Sequence, residues 1–257
     1  TGIYAHNSSA PTISNSTISN NQTGVRTEYY AALIITDSTI SSNSGHGIYA
    51  NGAGDLTVTS STISNNSSWG VYIREAVGDV TISNSIISNN SGYGMYYEYA
   101  QSGASLSVSD STVSNNSETG IELYRPRAFT ITNNNISNNS DHGVSYRNDS
   151  IDYVSSPLPS ITYNTITGNS NNGIQLNGSH AVATVNYNNL YENSGSYDLY
   201  SSVTYQEVDA RYNYWGLTST AIMGIATNPK DIPRIYDYHD NVSYSLVNYA
   251  AWLSEAN

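Results

Sequence analysis

The chain of 257 residues has no cysteine, so a disulfide framework, a thiolate metal site and a cysteine nucleophile are all closed to it. Lys and Arg together number 8 against 20 Asp and Glu, a net charge of -12. Too little basic surface remains to neutralise a phosphate backbone, which argues against a nucleic-acid partner. No apolar run approaches the length of a bilayer crossing, so no segment reads as a transmembrane helix. Charged residues make up only 11% of the chain, while Ser, Thr, Asn, Gly and 24 Tyr dominate. Such a mix would suit low complexity, but regularly spaced Ile, Val and Leu supply a core, which argues against disorder. No signal peptide is legible, and Thr1-Gly2-Ile3-Tyr4-Ala5 is already in repeat register. The sequence therefore reads as a piece of a longer parent chain with other domains. A cysteine-free, lysine-poor, Asn/Thr/Tyr-rich composition fits a secreted or cell-surface protein of bacteria or archaea.

The abundant element is a repeat. A glycine followed by an apolar residue recurs at Gly2, Gly24, Gly47, Gly70, Gly94, Gly120, Gly143 and Gly173, in steps of 22 to 30 residues. Two further apolar positions, five residues apart, accompany each glycine, as in Ile13/Ile18, Val58/Ile63, Ile82/Ile87 and Ile131/Ile136. Alternation around them has period 2, as in Leu56-Thr57-Val58-Thr59, and helical spacing is absent. Three short strands per repeat describe a parallel β-solenoid of about nine coils of ~23 residues, stacked at the strand spacing of ~4.8 Å. Asparagine falls three residues after the second apolar position in every coil, at Asn21, Asn43, Asn66, Asn90, Asn116, Asn139, Asn169 and Asn193. This column is expected to form an internal hydrogen-bonded ladder, in a residue type that tolerates the left-handed turn conformation.

The repeat resembles the right-handed parallel β-helix superfamily of pectate-lyase-like proteins, in its group of carbohydrate-binding proteins and sugar hydrolases. Asp209-Ala210-Arg211-Tyr212-Asn213-Tyr214-Trp215-Gly216, Ile235-Tyr236-Asp237-Tyr238-His239-Asp240 and Val247-Asn248-Tyr249-Ala250-Ala251-Trp252-Leu253 resemble the closing segment of many bacterial and archaeal members. The resemblance implies coils over residues 1–209 and a C-terminal cap over 210–257 that closes the last coil. It is specific for fold rather than activity, because this superfamily holds lyases, hydrolases, epimerases, adhesins and binding modules.

Length variation concentrates just after the strand that begins at the coil glycine, where solenoids place binding loops. The outward positions of that strand also break the monotony of Ser, Thr and Asn. The second residue after the glycine reads Tyr4, Arg26, Tyr49, Tyr72, Tyr96, Glu122, Ser145 and Gln175; the fourth reads His6, Glu28, Asn51, Arg74, Glu98, Tyr124, Arg147 and Asn177. Aromatic faces interleaved with charged hydrogen-bonding groups suit sugar rings. Tyr49, Tyr72, Arg74, Tyr96, Tyr124 and Arg147 are therefore the candidate contacts to a polysaccharide or surface glycan. An exposed ion pair and ordinary cross-strand aromatic packing would explain the same residues.

Glu98 and Glu122 lie one coil and two residues apart, which puts their Cα atoms roughly 8 Å from one another. That separation suits the acid and base of an inverting glycoside hydrolase. A uronate lyase or epimerase would draw instead on Arg74, Arg125, Arg127 and Arg147, and a purely structural stalk or adhesin segment needs no site. No cofactor is implied, unless Asp55 and Asp79, in the same register of successive coils, share a calcium ion. The insertion from Asn148 to Ser160, with Asp149, Asp152 and Tyr153, reads equally as an ordinary surface excursion, as a lid over the groove or as a calcium loop. The five histidines are scattered and make no ligand set for zinc or copper.

Overall fold

A computed structural model describes residues 1–225 and 229–256. The chain winds as a parallel β-solenoid whose three faces are continuous sheets. Sheet A collects the strands that follow the coil glycines, such as Val71–Arg74, Met95–Glu98 and Ile121–Tyr124. Sheet B carries the first apolar position of each coil, as in Val80–Ser83 and Ser105–Ser109, and sheet C the second, as in Ile86–Ser88 and Thr112–Ser114. Sheets B and C each hold eight strands, so eight turns contribute to all three faces, and sheet A runs two strands further.

Register follows from the repeat, because side chains in one column meet their counterparts one coil away. Val71 pairs with Met95 and Ile73 with Tyr97 in sheet A, Val80 with Leu106 in sheet B, and Ile87 with Val113 in sheet C. All of these side chains point inward and are buried. The core is thus a set of apolar stacks along the axis, in which each coil covers its neighbour.

Two polar ladders hold the corners. Asn43 Nδ2 donates to Asn66 Oδ1, and the pattern continues through Asn90, Asn116, Asn139 and Asn169 to Asn193 at 2.9–3.0 Å. Asn193 then donates to Asp198 Oδ1 (3.0 Å), whose carboxylate is clamped by the Arg234 guanidinium. The second ladder, between sheets B and C, starts with serine and changes to asparagine. Backbone N–H groups donate to Ser38, Ser61, Ser85 and Ser111 Oγ, then to Asn134, Asn164, Asn188 and Asn213 Oδ1. The left-handed turn conformation is taken by the residue before each asparagine of the first ladder, as at Asn65 (φ 56), Asn89 (φ 55) and Asn115 (φ 56). One residue thus bends the chain, and the asparagine after it makes the ladder bonds.

Packing explains the coil glycines. A Cβ on Gly94 would lie 2.6 Å from Gly120 O and 2.8 Å from both Asn116 Nδ2 and Val113 Cγ1. Sheet A, sheet C and the asparagine ladder converge there, and only a residue without a side chain fits.

Trp215, Met223 of the helix Gly216–Met223 and Ile235 join the buried core, and Ile235–Tyr236 adds the tenth strand of sheet A. Val208–Asp209 and Val247–Asn248 pair as a separate two-stranded sheet. The insertion after Asn148 does not cover sheet A as a lid would. Its Ser155–Pro159 segment turns onto the outer side of sheet B, beside Ser107 and Thr130, and Leu158 packs against the core. An apolar anchor placed in the insertion itself decides that course.

Candidate functional site

Sheet A aligns the outward tyrosines because its register sets Tyr72 directly between Tyr49 and Tyr96. Their ring centroids follow one another at 5.3 and 5.7 Å. A second aromatic column comes from the turn just before the coil glycine. His46, Trp69 and Tyr93 succeed one another there at 5.1 and 5.5 Å. The columns interlock, with Trp69 4.5 Å from Tyr72 and 5.0 Å from Tyr96, and Tyr93 5.1 Å from Tyr96. Gly92 makes room for this, since a Cβ there would strike Trp69 Cδ1 at 2.2 Å. Six rings on three coils thus form one half-buried patch. His46 within it is held towards the neutral form by burial, and its Nδ1 has no hydrogen-bond partner among the described residues. The turn column was missed in the sequence reading. Its signal was present in the residues preceding successive coil glycines: His46, Trp69, Tyr93, Thr119 and His142.

The two glutamates sit in different surroundings. Glu98 is folded under Tyr72, whose hydroxyl donates to Glu98 Oε1 at 2.6 Å, and Arg74 Nε lies 3.9 Å away. The same pairing occurs three coils earlier, where the Tyr4 hydroxyl donates to Glu28 (2.7 Å) and Arg26 completes the contact (2.6 Å). Burial beside Glu98 raises the Tyr72 phenol above its usual range. Glu122 lies in register with Tyr96 and is crowded on its other side by Ser145. Burial pushes its carboxyl up to about 7, opposed by the Ser145 hydrogen bond and Arg147 and reinforced by Asp141 and Glu118. Near neutral pH Glu122 can therefore hold a proton.

Tyr124 and Arg147 are not part of the ring patch. They pair with one another in the neighbouring outward column, beyond Glu98. Both Arg147 (5.4 Å) and Arg125 (5.3 Å) lie over the Tyr124 ring, so its face is already occupied by guanidinium groups. Arg74 turns towards Glu75 (3.1 Å) more than towards Glu98.

Asp55 and Asp79 do follow one another on successive coils, but each carboxylate is used within the fold. Asp55 Oδ1 accepts from Asp79 N (3.0 Å), and Asp79 Oδ1 accepts from Ser105 N (3.0 Å) and Ser105 Oγ (2.8 Å). Among the described residues no group of three or more His, Cys, Asp and Glu stands close enough to hold a metal ion.

Two family models match the sequence: one described as a right handed beta helix region, over residues 1–128, and one described as periplasmic copper-binding protein (NosD), over residues 79–222. No curated protein and no solved structure matches. The copper of the second description can be tested against the donors present. His142 Nδ1 accepts from Asn172 N (3.2 Å), His180 Nδ1 shares a hydrogen bond with Ser179 Oγ (2.8 Å), and His6 stacks on Tyr4. Met95 and Met223 are buried in the core, and the chain has no thiolate. Soft sulfur and clustered imidazole, the donors that favour copper, are not brought together among the described residues. The coils, their parallel register and a match over more than half of the length place the chain in the family described as periplasmic copper-binding protein (NosD), with the right-handed parallel β-helix fold.

Proposed function

We propose that this segment is a periplasmic or extracellular β-helix module of a longer parent, and that it binds a polysaccharide or surface glycan on the ring patch of sheet A. The observation that carries the reading is the two-column patch of six half-exposed rings, which joins the strand tyrosines of sheet A to rings of the adjoining turn. Sugar rings present C–H faces that stack on aromatic rings, while their hydroxyls find the flanking Glu122. Ordinary sheet packing accounts for contacts within the tyrosine column. It does not account for Trp69 and Tyr93, which lie in a turn and extend the patch sideways. The family description supports a periplasmic location.

A glycan array followed by titration calorimetry tests this. Trp69→Ala and Tyr72→Ala are each expected to weaken binding of the best ligand by about tenfold, the order of one lost stacking contact. Tyr163→Ala, on a different corner, should leave it unchanged. Binding that survives both patch substitutions, or no binding to any glycan, would overturn the proposal.

A second reading, glycan cleavage, is favoured by one observation: burial raises the Glu122 carboxyl to about 7, while Glu98, one coil away, accepts a hydrogen bond from the Tyr72 hydroxyl. In an inverting hydrolysis Glu122 would protonate the leaving oxygen and Glu98 would activate water from the opposite face of the sugar. Turnover that is lost in Glu122→Gln while binding persists would establish it; turnover unchanged in that variant would remove it.

A further inference from the structure

The ring patch has a counterpart on the same face, and the spacing of the two narrows the shape of glycan that fits, an inference that rests on the glycan-binding reading above. At the C-terminal end of sheet A, Asp198 takes the place of a coil glycine. Its carbonyl accepts from Ile174 N at 2.9 Å, as Gly94 O accepts from Val71 N at 3.0 Å. Tyr197 therefore falls in the turn column of His46, Trp69 and Tyr93, and Tyr200 in the strand column of Tyr49, Tyr72 and Tyr96. Their ring centroids lie 6.1 Å apart. Tyr236 stacks on Tyr200 at 4.7 Å and stands 5.0 Å from Tyr197, and Tyr244 of the capping segment adds a fourth ring 6.0 Å from Tyr236. All four are half-buried. Pairing across the sheet accounts for Tyr200 on Tyr236. Tyr197 and Tyr244 come from outside the sheet and widen the patch, as Trp69 and Tyr93 widen the first.

The two patches lie in line along the solenoid. Register carries the strand column from Tyr96 through Glu122, Ser145 and Gln175 to Tyr200, four strand steps, which is ~19 Å at the usual spacing of about 4.8 Å. Along this stretch Glu122 and Gln175 stay partly exposed, while Ser145 and the turn-column residues Thr119, His142 and Asn172 are buried. The path between the rings thus offers hydrogen-bonding groups at Glu122 and Gln175.

We infer that the two patches bind one linear glycan of extended, ribbon-like shape, laid along the solenoid axis with its ends on the rings and its middle hydroxyls at Glu122 and Gln175. Patches set in the same columns call for a chain that advances without turning. Glucose or N-acetylglucosamine in β-1,4 linkage, with equatorial glycosidic bonds, keeps such a course, whereas α-1,4-linked glucose coils and turns its ring faces away. A chain held at both ends makes its second contact from a high effective concentration, which raises affinity by about a hundredfold.

Calorimetry of the intact segment with cello-oligosaccharides and N-acetylchito-oligosaccharides of graded length, and with malto-oligosaccharides for comparison, tests this. In at least one of the two β-linked series, oligomers that cover a single patch are expected to bind two per chain. Those able to reach across ~19 Å should bind one per chain and about a hundredfold more tightly. The malto series should show no such step. In Tyr200→Ala and, separately, in Tyr197→Ala, each checked for an unchanged melting profile, the step should vanish while one short oligomer still binds at the first patch. Absence of the step from both β-linked series, a step of equal size in the malto series, or a step that persists in both variants would overturn the inference, and short-oligomer binding would leave the first patch as a glycan site. No binding of any of these oligomers would overturn it too, whereas no binding to any glycan of the array is the separate result that removes the reading beneath it.

Discussion

The asparagine ladder gives the sharpest quantitative test of why this chain adopts its coils. Asn116 lies in mid-solenoid, fully buried. Its Nδ2 donates to Asn139 Oδ1 (3.0 Å) and Ile87 O (3.1 Å), and its Oδ1 accepts from Asn90 N (3.1 Å) and Asn90 Nδ2 (3.0 Å). In Asn116→Ala the Asn90 amide loses its acceptor inside the core, a penalty of about 1–3 kcal/mol, and three further bonds worth about 0.5–1 kcal/mol each disappear. Asn90 Nδ2 keeps Ile63 O (3.2 Å) and Asn139 Oδ1 keeps Asn116 N (3.1 Å), which limits the damage. The sum is roughly 4 kcal/mol, and for a chain of this size that corresponds to a loss of roughly 8–16 °C in Tm.

Asn21 is the internal control. In the first coil its Nδ2 donates to Ser19 O (2.9 Å). Asn21→Ala should therefore lose about 1 kcal/mol or less. Urea denaturation followed by circular dichroism compares the two, and hydrogen exchange at the Asn90 amide reports the local opening directly. Equal effects of the two substitutions, or an Asn90 amide protected as well as before, would refute the view that the ladder works as a chain of mutually satisfied buried groups.

Two other outcomes are expected. Gly94→Ala should destabilise by about 2–3 kcal/mol through a clash with carbonyl and core atoms that cannot yield; Gly52→Ala, with open space around its Cβ but φ +58, should lose only about 1 kcal/mol. Glu122 carries a folded-state value raised to about 7 against an unfolded value near 4.3, so it takes up a proton on folding, and stability should fall as pH rises between those values by up to about 3 kcal/mol. Glu122→Gln should flatten that part of the pH–stability curve, and an unchanged curve would show that its carboxylate is not desolvated.

The fold was legible because the determinants of a solenoid are local and repeated. Each coil restates the same three apolar positions, the same glycine and the same asparagine, so pattern and register coincide. The second ladder escaped notice because it changes chemistry midway, from Ser111 to Asn134, while keeping the same place beside the first apolar strand. The tyrosine column was legible from strand periodicity, whereas Trp69 and Tyr93 show only on comparing the residue before each coil glycine, since turn residues carry no alternation along the chain to mark them as outward. The course of the insertion after Asn148 was also hidden. It depends on where Leu158 finds apolar surface, and no spacing within the repeat encodes that.

The repeat also separates Glu98 from Glu122, which the sequence presented as a pair. Tyr4 donates to Glu28 and Tyr72 to Glu98, in each case from the second position of one coil to the fourth position of the next. Glu98 thus completes a motif that the fold uses elsewhere, at a place with no aromatic patch of comparable size. Glu122 breaks that motif. It stands in the second position, where the three preceding coils have tyrosine, and it replaces a fourth ring with a carboxyl that burial inclines to hold a proton. A solenoid stabilised by repetition has no structural need for that substitution, and burying an acid against Tyr96 opposes folding at neutral pH. The corner where the aromatic columns end is therefore where the chain departs from its own repeat at a cost in stability.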